Sequence, residues 1–146
     1  MTLRILRAAM MLIMFDGVAL ADPIRLITEE EAKRPPLAVS PKRAITRGPE
    51  IHVESPVSGS TVTSPVRIKV AFKAHGGVKI SPDSVEIRYL RNRPVMLTSR
   101  VRPFIKPTGF TIDEALVPVG EHDIEIVVHD DDEREAAVTF RLIVQP

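Results

Sequence analysis

The closing stretch of the chain, Val119 to Gln145, sets two runs of alternating apolar and polar residues around an acidic turn. Ile124, Ile126 and Val128 fall on one face of the first run; Val138, Phe140, Leu142 and Val144 fall on one face of the second. Period-two alternation belongs to a strand buried on one side, so the pair reads as an antiparallel hairpin. Such a hairpin is marginal alone and needs a second layer over its apolar face. That requirement points away from a helical bundle and toward a layered β domain.

The same period recurs upstream. Ile51 and Val53 alternate with His52 and Glu54, and Val66, Ile68, Val70 and Phe72 alternate with Arg67, Lys69 and Ala71. Val85, Ile87 and Tyr89 form a third run, an extended stretch is expected over Val95 to Val101, and Phe110 and Ile112 suggest a short strand after Gly109. Turn residues separate these runs at Ser55 to Gly59, His75 to Gly77, Ser81 to Asp83 and Asn92 to Pro94. Seven short strands at this spacing define an all-β fold, a seven-stranded two-sheet sandwich over residues 49–146. An open barrel of the OB type is the competing fold, but its internal helix has no candidate segment. Pro94, Pro103 and Pro107 mark the middle strands as a sheet edge.

Residues 1–21 have the anatomy of an export signal: Arg4 and Arg7, an apolar run from Ala8 to Phe15, and Ala19-Leu20-Ala21 as a cleavage site. Asp16 weakens that pattern. The apolar run is shorter than the roughly 20 residues of a membrane span, so no span is expected after cleavage. Residues 22–48 form a basic arm with four prolines, 23, 35, 36 and 41, followed at once by Pro49, which reads as linker-like. Within it Thr28-Glu29-Glu30-Glu31 matches a capping box, and Pro35-Pro36 stops the helix after about two turns. Leu26 and Ile27 are placed to pack that helix on the sandwich or on a partner, so the arm acts either in cis or in trans.

Loss of Arg4, Arg7 and Asp16 takes the 20 basic and 19 acidic residues to 18 and 18. A neutral chain has no long-range field for nucleic acid or anionic lipid. There is no cysteine, which removes thiol chemistry, thiolate metal sites and a lipidated anchor. The expected location is periplasmic or secreted.

Ile80 to Tyr89, Leu116 to Asp130 and Thr139 to Val144 together resemble bacterial Ig-like domains of the fibronectin type III-like and invasin types, which occur in exported and cell-surface proteins. Ile51 to Gly59 with Val62 to Val66 resembles the first two strands of such a domain. The resemblance implies the fold and leaves the function open, because that scaffold serves adhesion, spacing, ligand binding and accessory roles. It departs at the last turn, where Asp131-Asp132-Glu133-Arg134 replaces the usual glycine and asparagine.

Three groups of residues bear on chemistry. Asp130, Asp131 and Asp132 beside His129 offer oxygen ligands for calcium, which takes about six to eight of them; the competing role is a solvated tip that blunts edge pairing. His52, His75, His122 and His129 raise a copper or zinc site, against which stand the absence of an H-x-H pattern and a single methionine, Met96, past residue 21. His122 stands where such sandwiches place a corner tyrosine, which implies a structural role. Phe104 and Phe110, flanking Lys106 to Gly109, are the candidate exposed hydrophobic contact. No nucleophile motif is present, so the expectation is a non-enzyme without cofactors. The sequence thus suggests an exported Ig-like binding or structural module that contacts an unidentified cell-envelope protein. A periplasmic small-ligand or metal-binding (calcium or copper) protein is the alternative.

Overall fold

The computed structural model describes residues 22–38 and 47–146. The proposed export signal and the basic run Pro41-Lys42-Arg43 lie outside the described residues.

Alternation becomes strand wherever it was legible. The elements are β1 (Ile24–Arg25), α1 (Glu29–Ala32), β2 (Glu50–Ser55), β3 (Thr61–Thr63), β4 (Val66–Lys73), β5 (Glu86–Tyr89), β6 (Val95–Met96), α2 (Thr98–Val101), β7 (Gly109–Leu116), β8 (Gly120–His129) and β9 (Glu135–Gln145). They form one sheet in the order β1-β7-β4-β2 and a second in the order β3-β9-β8-β5-β6. Short β3 runs parallel to the end of β9, and the first long strand, β2, pairs antiparallel with β4 in the other sheet. This strand order, with β8 and β9 as the closing hairpin, is an Ig-like sandwich. Val70, Phe72, Phe110 and Ile112 from one sheet and Tyr89, Ile124, Ile126, Phe140 and Leu142 from the other are all buried between the layers.

Two local expectations are corrected. The stretch from Val95 to Val101 is extended only at Val95–Met96; Thr98 to Val101 is a helical turn, followed by a 3-10 turn at Arg102–Phe104. Leu97, Val101 and Ile105 are all buried, and their four-residue spacing is helical rather than alternating. The short strand after Gly109 is a full eight-residue β7, the partner of β4.

The arm is not linker over residues 24–36. Ile24 and Arg25 add a parallel strand to β7 opposite Ala115 and Leu116, and Leu26 and Ile27 are buried. Thr28 caps α1 with the full reciprocal box: its hydroxyl accepts from the Glu31 N–H, and the Glu31 carboxylate accepts from the Thr28 N–H. The helix is a single turn. Arg100 of α2 then grips the arm, donating to both Glu31 carboxylate oxygens (2.9 and 2.7 Å) and to the Leu26 carbonyl (2.7 Å). Beyond the helix the Pro35 carbonyl accepts from Asn92 N–H, and Pro36 bridges to Arg91. The arm therefore crosses one side of the sandwich, touching β7 in one sheet and the β5–β6 turn of the other. The described part of the arm packs on its own sandwich.

Candidate functional site

A shallow groove of about 450 Å³ lies on the outer face of the β4–β7 pair. Alternation along β4 buries Ile68, Val70 and Phe72 and turns Lys69 and Ala71 outward. In register, Gly109 lies beside Ala71 and Thr111 beside Lys69. Gly109 has φ +133, and a β-carbon there would sit 2.1 Å from the Val70 carbonyl oxygen, so only glycine fits. At the Ala71–Gly109 pair the groove floor is consequently bare backbone and one methyl group, with Lys69 and Thr111 side by side two residues further along the strands. Its wall comes from Pro103, Phe104 and Lys106, held by a tight turn in which Lys106 N–H donates to Gly109 O (2.8 Å) and Gly109 N–H to Lys106 O (3.1 Å).

The two aromatics expected at this surface are separated by the strand. Phe104 is half-buried at the groove rim. Phe110 is not loop-exposed: β7 begins at Gly109, so alternation sends its ring inward, edge-on to Phe72 at 6.1 Å between ring centres. Lys106, which sequence reasoning passed over as turn material, borders the groove and has no ion-pair partner among the described residues. Lys69 pairs with Glu54 at 2.5 Å on the exposed strand surface.

The acidic tip is organised around one carboxylate. Asp130 is buried, and its Oδ1 accepts from the Asp132 and Arg134 N–H groups at 3.0 Å each, while Oδ2 accepts from Arg134 Nε at 2.9 Å. Burial pushes the Asp130 carboxyl up, but those backbone donors and the Arg134 guanidinium outweigh it and hold it below the usual range. Glu133 takes the left-handed conformation (φ 58) that glycine or asparagine usually fills. Asp131 and Asp132 are exposed, and His129 pairs with Glu135 at 3.3 Å. Asp130, Asp131, Asp132 and His129 are thus neighbours in sequence without converging; among the described residues no group of three or more His, Asp or Glu side chains does. Asp130→Asn is expected to speed amide hydrogen exchange at Asp132 and Arg134 while leaving the β8–β9 ladder protected, because a neutral amide accepts these bonds more weakly.

His122 is the corner residue, as its position implies. It is 1% exposed, its Nε2 lies 2.8 Å from the Pro118 carbonyl, and its Nδ1 lies 2.8 Å from the Tyr89 hydroxyl. A carbonyl only accepts, so Nε2 carries the hydrogen and Nδ1 accepts from Tyr89. Arg91 completes the network, donating from Nε to the Tyr89 oxygen (2.6 Å) and from Nη2 to the Glu121 carbonyl (3.0 Å). Burial first, and the Arg91 charge as well, hold the His122 pKa below its ordinary value. A histidine depressed in the folded state stabilises the fold fully above the unfolded pKa of about 6.5 and loses that contribution as pH falls below it toward the folded value. The wild-type melting temperature is therefore expected to fall as pH drops below 6.5, with a shallower fall in His122→Gln. Equal pH slopes in the two proteins would contradict the assignment. Of the other histidines, His52 pairs with Glu50 at 3.0 Å and His75 is exposed in a loop; neither approaches His122 or His129 as a ligand set.

Strand order and buried corner define the class: an Ig-like β-sandwich. No protein-family model matches the chain, and no curated protein matches it in sequence. Among solved structures it is similar to an engineered protein (14% identity, TM-score 0.45), covering 67% of this chain and 20% of that one. CopC from Methylosinus trichosporium OB3b is similar at 20% identity and TM-score 0.43, over 66% of this chain and 90% of that one. The fibronectin(III)-like modules of Clostridium thermocellum CbhA are similar at 14% identity and TM-score 0.39, over 66% and 46%.

Proposed function

We propose that this protein is an exported, non-catalytic Ig-like module that works through protein–protein contact in the cell envelope. The observation that carries the reading is the groove over Gly109. At Gly109 its floor is kept bare by a backbone conformation only glycine tolerates, and a half-buried aromatic and a lysine without an ion-pair partner among the described residues border it. Well-packed pockets that exclude water are where the dominant side chains of a protein interface cluster. Several strand-surface charges pair with one another: Arg88 with Glu86 and Glu125, Arg141 with Asp123 and Glu121, and Arg67 with Asp113. No described helix is long and apolar enough to cross a membrane.

Site-specific photo-crosslinking in living cells tests the reading. A photoreactive residue at Thr108, an exposed position lining the groove, is expected to give a discrete adduct, and one at Met96, an exposed position in the opposite sheet, is expected to give none. Adducts of equal yield at both positions, or none at 108, would count against the module. Export is tested by the amino terminus of protein recovered from the periplasm, expected to begin at Asp22.

A further inference from the structure

We propose that the groove receives an extended acidic polypeptide segment. One carboxylate of that segment is held by Lys106, and an adjoining aliphatic side chain sits on Gly109 and Ala71 against Phe104. The inference rests on the module reading and specifies the chemistry of its partner.

Charge complementarity selects the acidic component. Lys69 and Lys106 both line the groove, and no carboxylate does. Lys69 is neutralised by Glu54, whereas Lys106 has no carboxylate partner among the described residues. Shape selects the aliphatic component. At the Ala71–Gly109 pair the floor carries no side chain larger than a methyl, while Phe104 and Pro103 present apolar surface at one wall. A branched aliphatic chain laid on that floor is covered on one side by the Phe104 ring. An extended segment suits the remaining contacts, because Thr108 and Thr111 offer hydroxyls along the groove to a peptide backbone. A sugar ring would require a broad stacking platform, and of the two aromatics lining the groove Phe110 is buried and Phe104 is partly buried against the core.

The test uses the full chain, isotope-labelled, titrated with an acetylated hexapeptide alternating glutamate and valine and separately with its lysine-and-valine counterpart. The acidic peptide is expected to give saturable shifts at the Ala71, Lys106, Gly109 and Thr111 amides, with the basic peptide about tenfold weaker. Lys106→Gln is expected to weaken the acidic peptide about threefold and Lys106→Glu about tenfold, with Lys106→Arg retaining it. Phe104→Ala is expected to cost about tenfold. These substitutions lie on the surface, and unchanged amide spectra away from the groove verify that each variant is folded. Equal affinity for both peptides, saturable shifts confined to another face, or no saturation by millimolar acidic peptide would overturn the proposal. Should it be overturned while the position-108 crosslink persists, the partner chemistry is wrong and the module reading stands; loss of both removes the module reading too.

Discussion

Gly109→Val is expected to destabilise the protein by about 4 kcal/mol or more. A side chain at φ +133 is strained for any L residue, at a cost of roughly 1–3 kcal/mol. Here the added carbon would also sit 2.1 Å from the Val70 carbonyl oxygen and 2.9 Å from the Ala71 α-carbon, both backbone atoms of the central strand of the sheet. Neither atom yields as a side-chain tip would, so relief requires β4 and β7 to separate. Gly77→Val is the matched control: that glycine also has positive φ but nothing lies within 4 Å of the added carbon. Chemical denaturation of the two variants checks the argument, and a Gly109→Val midpoint within the range of Gly77→Val would refute it.

Deletion of residues 22–38 is expected to destabilise the sandwich by about 4 kcal/mol and to promote aggregation. Burial of Leu26 and Ile27, at 2% and 1% exposure, contributes about 2 kcal/mol each. Loss of β1 also uncovers the end of the β7 edge, which becomes available for pairing with other chains. The ion pair between the arm and α2 makes part of this effect titratable. Hydrogen bonding from Arg100 lowers the Glu31 pKa from 4.5 to about 2, against the opposing effect of burial. A carboxyl depressed in the folded state stabilises it fully above the unfolded value of 4.5 and loses that contribution as pH falls through about 2. Glu31→Gln should therefore lower stability at pH 7 and flatten its dependence between pH 4.5 and 2. A truncated protein as stable and soluble as the full chain would show that the arm does not serve as a cis cover.

Ions in this fold differ widely in consequence. The pairs across the outer strand faces, such as Lys69–Glu54 and Arg67–Asp113, are exposed and contribute little. Glu31 and Asp130 are buried acids whose partners are backbone N–H groups as well as arginines, so each fixes a local chain path. That distinction explains why the aspartate run at the tip is not equivalent along its length. Asp130 shapes the loop, and Asp131 and Asp132 face water.

Strand identity was legible from residues because each buried face repeats every second position, as in β4 and in the β8–β9 hairpin, and no tertiary information is needed to see that period. The capping box at Thr28 and the corner role of His122 were legible for a related reason: both act through backbone groups within four residues. Leu97, Val101 and Ile105 show a signal that was present and misassigned, since helical spacing across a four-residue helix and a 3-10 turn is too short to outweigh the extended residues before it.

The groove could not be read in the same way. Its floor joins Ala71 to Gly109 and its wall adds Phe104, three segments brought together by the β4–β7 register and by a tight turn at Lys106. The arm shows the same limit. Its prolines and charges describe an extended, soluble chain, and nothing local indicates that Glu31 will meet Arg100 or Pro35 will meet Asn92. Local periodicity and capping chemistry act within one element, so the chain alone dictated the strands and the all-β class. Contacts between residues distant in the chain exist only once the sheets close, and that closure alone placed the groove, docked the arm in cis and sent Phe110 into the core.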